Sequence, residues 1–475
     1  MYKDITAKMD KYLTEHKEEI LNVILDLARY PSIMEEAAEN APFGKPCRKC
    51  LDAAVKIMNN HGFNAKVSSD GSYGLAEFGN GEKTIGIFAH TDVVPVSPED
   101  WIYTKPFEPI KHGDVLIGRG VEDNKAGVAI AIYAVKLLCD AGLPPKSKIS
   151  VFLGSNEECG MADIEQYAKE NKMPDVSIVP DADFPVCFGE KGICRAHMIP
   201  EGKFSEITEF CGGTAYNIML DKLLVKIKYN HELFLEITEK AKAAERITVS
   251  KDDTSIIVNA TGTPKHAASP EGGTNAANVA ASFLCKCEKL CQNDRDILAK
   301  IASLTGDFYG EDLGIACSDE WFGKLTAVNG ICALSPDGTP DIALDIRYCT
   351  AITAEELERK LLAAYPKSRI TENKAGFAIP RDNKIAKSLE KVYSERSGDP
   401  EVKGFYMGGG TYARYLKNAF SIGTQAGYIK NDIPELPEGH GNAHQSDEIL
   451  RINQFLEAVK IVAIMLHECD KEINQ

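Results

Sequence analysis

Three short apolar, β-rich runs constrain the fold of this chain more than any other feature: TIGIFA at 84–89, KISVFLG at 148–154 and VSIV at 176–179. Each delivers the chain into a polar cluster containing His, Asp or Glu. Apolar runs of this length read as strands buried on both faces. Between the first two lies NKAGVAIAIYAVKLLC, residues 124–139, whose length and pattern predict a buried helix. Strands alternating with helices indicate an α/β sheet with helices on both faces, and ligands of such sheets collect beyond the carboxyl ends of the strands. The polar clusters fall there. Residues 4–30 and 50–60 carry apolar positions at helical spacing and read as helices packed on the sheet.

From about Val186 the pattern changes to separate β-rich pieces, at 193–198, 223–228, 247–249, 256–258 and 341–348, with helical stretches between them. From about Arg381 it returns to helix at 385–393, then Gly408-Gly409-Gly410, a short strand at 420–422, a loop, and a terminal helix expected from Asp447 to His467. A chain of 475 residues exceeds what one core serves. The expected organisation is therefore an α/β catalytic domain in two parts, 1–185 and 381–475, interrupted by an inserted α+β domain at 186–380. No internal repeat is visible.

Charge and cysteine usage exclude several classes. Seventy acidic against 54 basic residues give a net charge of −16, which opposes broad contact with nucleic acid or anionic lipid. The longest apolar run, Val128 to Val135, is far short of a membrane span, and the charged N-terminal stretch does not read as a signal peptide. Fourteen cysteines are too sparse for a disulfide scaffold, and Cys47/Cys50 and Cys285/Cys287 lack partners at zinc-ribbon spacing. Cys47-x-x-Cys50 is compatible with half a metal or redox site, but buried, reduced thiols in a cytoplasmic protein are the favoured reading.

The residues that carry chemistry lie in the clusters. His90 and Asp92 stand two apart where the first strand closes, and metal-bound imidazoles commonly donate their other N–H to a carboxylate. Asp123 stands at the mouth of the apolar helix, where a helix cap is the simplest use for it. Lys125 lacks the flanking residues of a phosphate-binding loop. Glu157 and Glu158 follow the second strand, and such a pair can divide labour between ligand and proton carrier. Asp181 follows the third strand and His444 precedes the terminal helix. Two His with at least three carboxylates and no thiolate suit a pair of divalent ions of the zinc, manganese or cobalt type.

Taken in order, HTDVVP, GRGVEDNKAG, SNEECG, VPDAD and HQSDE resemble the co-catalytic zinc metallopeptidase family that includes aminoacylase, carboxypeptidase G, acetylornithine deacetylase, succinyl-diaminopimelate desuccinylase and carnosinase. FGEKG at 188–192, the long insertion and GGGTYAR at 408–414 are most similar to the PepV-like bacterial dipeptidases. The resemblance implies a zinc-peptidase catalytic domain with an inserted lid. Asp123 would bridge two metal ions, His90 and Asp181 would complete one site, and Glu158 and His444 the other. Asp92 would hold His90, Glu157 would be the general base, and the Asp123-Asn124 peptide would be cis. His440, four residues before His444, competes for its role, but only His444 lies in the HQSDE context. In the lid, His266 would donate to the oxyanion, Arg347 would hold the substrate's C-terminal carboxylate, and Asn217 and Gly409 would contact substrate. Arg347 is equally placed to pair with Asp345. The expected activity is hydrolysis of short unblocked peptides, including β-alanyl or D-residue dipeptides, with N-acyl amino acid deacylation as the alternative. Dimeric relatives borrow a His from a partner, whereas a lid this long would supply His266 in cis, so an active monomer is expected.

Overall fold

The computed structural model describes residues 3–475, and the chain divides into two compact units. The first comprises the chain up to Gly189 with Ile379–Phe405 and Thr411–Gln475; the second comprises Glu190–Ala378 with Tyr406–Gly410. These divisions fall a few residues from the junctions at 185/186 and 380/381 read from the sequence, and the assignment of 406–410 to the second unit was not foreseen. That short segment is bonded into the second unit, since Lys191 N donates to Met407 O and Arg347 Nη1 to Gly408 O.

In the first unit a mixed sheet runs in the order Asn64–Val67, Gly74–Phe78, Lys148–Gly154, Thr84–His90, Val176–Ala182, Ala419–Gly423. The strands from 148–154 to 419–423 are mutually parallel, and the first two pair antiparallel at the edge. Thr84–His90 and Lys148–Gly154 are buried at every residue after the first, as expected of strands covered on both faces. Helix Lys125–Asp140 packs against the Thr84–His90 and Val176–Ala182 strands and against helix Ile452–Ile473. Its residues Lys125 to Val135 are all buried, so the apolar pattern is that of a core helix. Helix Lys45–Asn60 packs on the antiparallel edge and buries Cys47 and Cys50. Cys47 Sγ lies 3.3 Å from Ser32 O, and burial raises both thiols well above their ordinary pKa, in line with inert core cysteines.

The terminal helix begins at Ile452 and ends at Ile473, later at both ends than the expected 447–467. Residues Ile449–Arg451 form a strand paired with Val115–Ile117, and Asp447 has φ of 49°, so the chain cannot be helical there.

The second unit contains two four-stranded antiparallel sheets. One runs Ile207–Cys211, Lys222–Lys228, Ser255–Thr261, Ile247–Lys251; the other runs Thr326–Leu334, Pro340–Tyr348, Gly192–Met198, Arg369–Lys374. Side chains from both sheets and from helices Ala276–Leu284 and Gln292–Gly306 form one apolar cluster. The Thr326–Leu334 strand escaped the sequence reading because Asn329-Gly330 reads as a turn. It is a bulge instead, where a Cβ on Gly330 would stand 2.3 Å from Ala215 O and 2.5 Å from Tyr216 O.

Candidate metal centre

Parallel pairing aligns the carboxyl ends of the three central strands, and Thr91 N donates to Gly154 O to tie two of those ends together. His90, the last residue of its strand, is 1% exposed. Its Nδ1 lies 3.1 Å from Asp92 O and 3.4 Å from Asp92 Oδ1. Its Nε2 points the other way, 3.1 Å from Asp123 Oδ1 and 3.7 Å from Asp181 Oδ1. The Asp92 carboxylate also accepts the backbone N–H groups of Glu157 and Glu158 at 3.1 Å each. One side chain thus orients both the imidazole and the acidic pair.

Asp123 does not cap the helix. Asn124 is the cap residue, without a side-chain cap bond. Its amide nitrogen donates to Pro180 O at 2.5 Å and Asp181 Oδ1 at 2.8 Å. A Cβ on Gly127 would stand 2.2 Å from Asn124 Oδ1, so this position must be glycine for the amide to fit. The Asp123-Asn124 peptide is cis. The Asp123 carboxylate is divided, with Oδ1 toward His90 and Oδ2 3.0 Å from His444 Nε2. That nitrogen is also 3.2 Å from Glu158 Oε2. His440 is occupied elsewhere, its Nδ1 2.8 Å from Asp447 Oδ2.

Two groups of donors result, His90/Asp123/Asp181 and Asp123/Glu158/His444, each with its ligand atoms within 4.8 Å of one another and sharing Asp123. The electrostatics fit cations. Burial and the Asp123 charge push Glu158 up to about 7, and burial with the nearby Asp181 raises Glu157 well above the carboxylate range. Against the cost of burial, hydrogen bonds from His444 and His90 hold Asp123 well below that range. The same bonds, to Asp123 and Glu158, lift His444 to about 11. Glu157 is 9% exposed and its Oε1 has no hydrogen-bond partner among the described residues. Four neighbouring carboxylates, two imidazoles and an orphaned oxygen form a donor set of oxygen and nitrogen that suits divalent ions.

The remaining candidates lie in the second unit. Arg347, 5% exposed, forms a bidentate pair with Asp345, Nε to Oδ1 at 2.5 Å and Nη2 to Oδ2 at 3.1 Å, while Nη1 donates to Gly408 O at 2.9 Å. His266 bridges Ile218 through its backbone, and its Nδ1 accepts the Ala268 N–H at 3.1 Å. That bond places the ring proton on Nε2 in the neutral form. Partial burial of the ring and the nearby Arg347 lower its pKa, favouring that form. Asn217 O accepts the Ala267 N–H at 2.8 Å, so Asn217 and His266 lie on adjoining segments. Within the glycine run the close approach is at Gly408, where a Cβ would stand 2.6 Å from Ala268 Cβ; at Gly409 the nearest atom would be 3.9 Å away.

The sequence reading gave no role to Asp447, Glu448, Asp163 or Tyr412. The first two lie inside HQSDE, a signal present but unread. The Asp163–Tyr412 bond joins residues 249 apart in sequence, which no local pattern reveals.

Residues 86–468 match the model of peptidase family M20/M25/M40. YtjP of Bacillus subtilis, which carries a provisional dipeptidase name, is 28% identical over 469 residues, covering 96% of this chain and 98% of that protein. The Beta-Ala-Xaa dipeptidase of Lactobacillus delbrueckii subsp. lactis is 28% identical over 458 residues, covering 92% and 93%. Among solved structures, human carnosine dipeptidase 1 superposes with a TM-score of 0.57 at 14% identity over 98% of this chain and 99% of that one, a likeness of fold.

Proposed function

Because the chain belongs to peptidase family M20/M25/M40, whose matched region includes every residue of the metal-binding groups, we propose that it is a dinuclear zinc dipeptidase acting on short unblocked peptides, β-alanyl dipeptides among them. The observation that carries the reading is the divided Asp123 carboxylate, one oxygen toward each donor group, beside a buried Glu157 whose Oε1 has no hydrogen-bond partner among the described residues. The similarity to a Beta-Ala-Xaa dipeptidase over nearly the full length supports the substrate class.

In this proposal His90 and Asp181 would hold one ion, Glu158 and His444 would hold the other, and Asp123 would be shared between them. Bound divalent ions supply Lewis acidity that acidifies a water and polarises the scissile carbonyl. Asp92 fixes the His90 ring and, through the amides of Glu157 and Glu158, sets the acidic pair. Glu157 accepts the proton of the attacking water and returns it to the leaving amine, which is neutralised as the C–N bond breaks. His266 donates from Nε2 to the oxyanion, Arg347 engages the terminal carboxylate with the N–H groups that Asp345 and Gly408 leave over, and Asn217 and Gly409 contact substrate. The enzyme acts in the cytoplasm as a monomer, with His266 supplied in cis.

The test is a panel of dipeptides, tripeptides and N-acetyl or N-succinyl amino acids, assayed with zinc or manganese. Cleavage of free dipeptides is expected; hydrolysis confined to the acylated compounds would make the protein a deacylase. Light scattering that gave a dimer mass, with activity lost on dilution, would overturn the monomer.

A further inference from the structure

Two acids of the HQSDE segment, Asp447 and Glu448, are fully buried, yet neither belongs to a metal-binding group among the described residues. Asp447 accepts the N–H groups of Ile102 and Tyr103 and pairs with His440, which folds the loop upstream of it. Glu448 reaches further. Its Oε2 accepts from Arg119 Nη1 at 2.7 Å and Gly120 N at 3.0 Å, and its Oε1 from Glu122 N at 2.9 Å and Asp123 N at 3.2 Å. Its backbone carbonyl accepts from Gly118 N at 3.1 Å. Arg119 is 3% exposed, so the charge pair is sealed from water.

A carboxylate has about four acceptor positions, and here four donors take them. The turn from 119 to 123 is therefore wrapped around a single side chain, and the last donor is the amide of the residue that both donor groups share. Glu448 also lies four positions after His444, on a loop in which His444 and Asp447 both have positive φ, 66° and 49°. The loop is closed on itself by Gly441 N to Ser446 O and Ile449 N to Gly441 O, and the strand at 449–451 that follows it pairs with 115–117. Of the bonds between this segment and the 118–123 turn, those of the Glu448 side chain are the ones that reach the backbone amide of Asp123 itself.

We propose that Glu448 is a positioning residue that sets the spacing between Asp123 and His444, so that the Asp123/Glu158/His444 group is formed before an ion arrives. The inference rests on the metal-binding reading of those residues. A purely structural role, as one half of a buried pair with Arg119, predicts lost stability and nothing else.

Glu448→Gln separates the two. A glutamine keeps the shape but turns an NH₂ toward N–H donors, so it cannot satisfy the amides of both Gly120 and Asp123. Metal-free Glu448→Gln, still folded by circular dichroism, should bind Zn²⁺ and Mn²⁺ about 10–100-fold more weakly than the wild type in a chelator competition, the loss larger for one of two equivalents. Glu448→Asp, which keeps the charge but retracts it, should lose metal affinity in the same direction and serves if the glutamine variant does not fold. Asp470→Asn is the control: Asp470 also holds two backbone amides, Lys146 and Ser147 at 2.9 Å each, but before the start of the 148–154 strand. It should melt earlier and bind both ions normally. Wild-type metal affinity in folded Glu448→Gln and Glu448→Asp would overturn the proposal. A wild-type protein that took up neither ion would overturn the metal centre itself, and this inference with it.

Discussion

The two edges of the central sheet use the same kind of side chain, the carboxylate, for opposite ends. At the amino edge, Asp470 accepts the amides of Lys146 and Ser147, and Asp175 accepts Thr84 N at 2.9 Å while facing Lys83 at 3.5 Å. Each acid there closes a local set of donors. At the carboxyl edge Asp92, Asp163 and Glu448 do likewise, each accepting at least two backbone amides. Asp123, Glu157, Glu158 and Asp181 face one another instead, with two imidazoles and one oxygen unpaired. Burying like charges costs several kcal/mol per uncompensated ion, on the order of what a whole domain has to spare. A satisfied acid therefore marks scaffold, and an unsatisfied cluster marks the place where a ligand completes the electrostatics.

The largest effect expected of that contrast is on removal of divalent ions. Chelation should abolish peptide hydrolysis and lower the melting temperature, since an ion at 100 times its Kd stabilises the native state by about 2.7 kcal/mol. Asp470→Asn should shift the melting temperatures of metal-free and metal-loaded protein equally. A chelated wild type that kept full activity would break the comparison outright.

Next in size is the acidic pair. Glu157→Gln should retain both ions, because Glu158 remains, but should lose about 10²–10⁴-fold in kcat. Glu158→Gln should weaken metal binding. Metal analysis that found Glu157→Gln depleted and Glu158→Gln loaded would reverse the two roles.

How much of this was legible follows from range in sequence. The three central strands and the core helix are runs of local pattern, and the metal-ligand candidates sit in short motifs at strand ends, so both were readable. The strand at 326–334 was hidden because Asn329-Gly330 has turn chemistry but is used in a bulge. The terminal helix starts at Ile452 and not at Asp447 because Asp447 and Glu448 hold backbone more than 300 residues away and the apolar residues at 449–450 belong to a strand paired with 115–117. Pairings of that kind leave no local trace.

Arg347 tests how far the contrast extends. It is satisfied by Asp345 and Gly408, so the rule from the first unit makes it scaffold, whereas the proposed function gives it the substrate carboxylate. If it binds that carboxylate, Arg347→Ala should cost about 2–5 kcal/mol in kcat/KM on a free dipeptide and little on the dipeptide amide. Equal losses on both substrates would return Arg347 to the scaffold class.

The smallest predicted effect lies inside the satisfied set at the carboxyl edge. Tyr412 is fully buried and donates to Asp163 Oδ2 at 2.6 Å, beside the amides of Ser155 and Asn156. Burial, then the Asp92 charge, pushes Asp163 up to about 6 from an ordinary 3.8, against the pull of the tyrosine. The folded state therefore holds a proton that the unfolded chain releases, and this contribution to stability is full below about 4 and is lost as pH rises through about 6. Tyr412→Phe removes a donor to the ionised carboxylate, which should cost about 1–3 kcal/mol at pH 7.5. Below pH 6, where Asp163 is protonated, much less of that donor's value remains to lose, so the penalty should shrink. Melting temperatures of wild type and variant at pH 5 and 7.5 measure the difference, with kcat/KM per folded molecule expected to stay near wild type. A penalty that did not change with pH would show that Tyr412 acts by packing against Gly154, where a Cβ would stand 1.8 Å from its hydroxyl, rather than through the Asp163 charge.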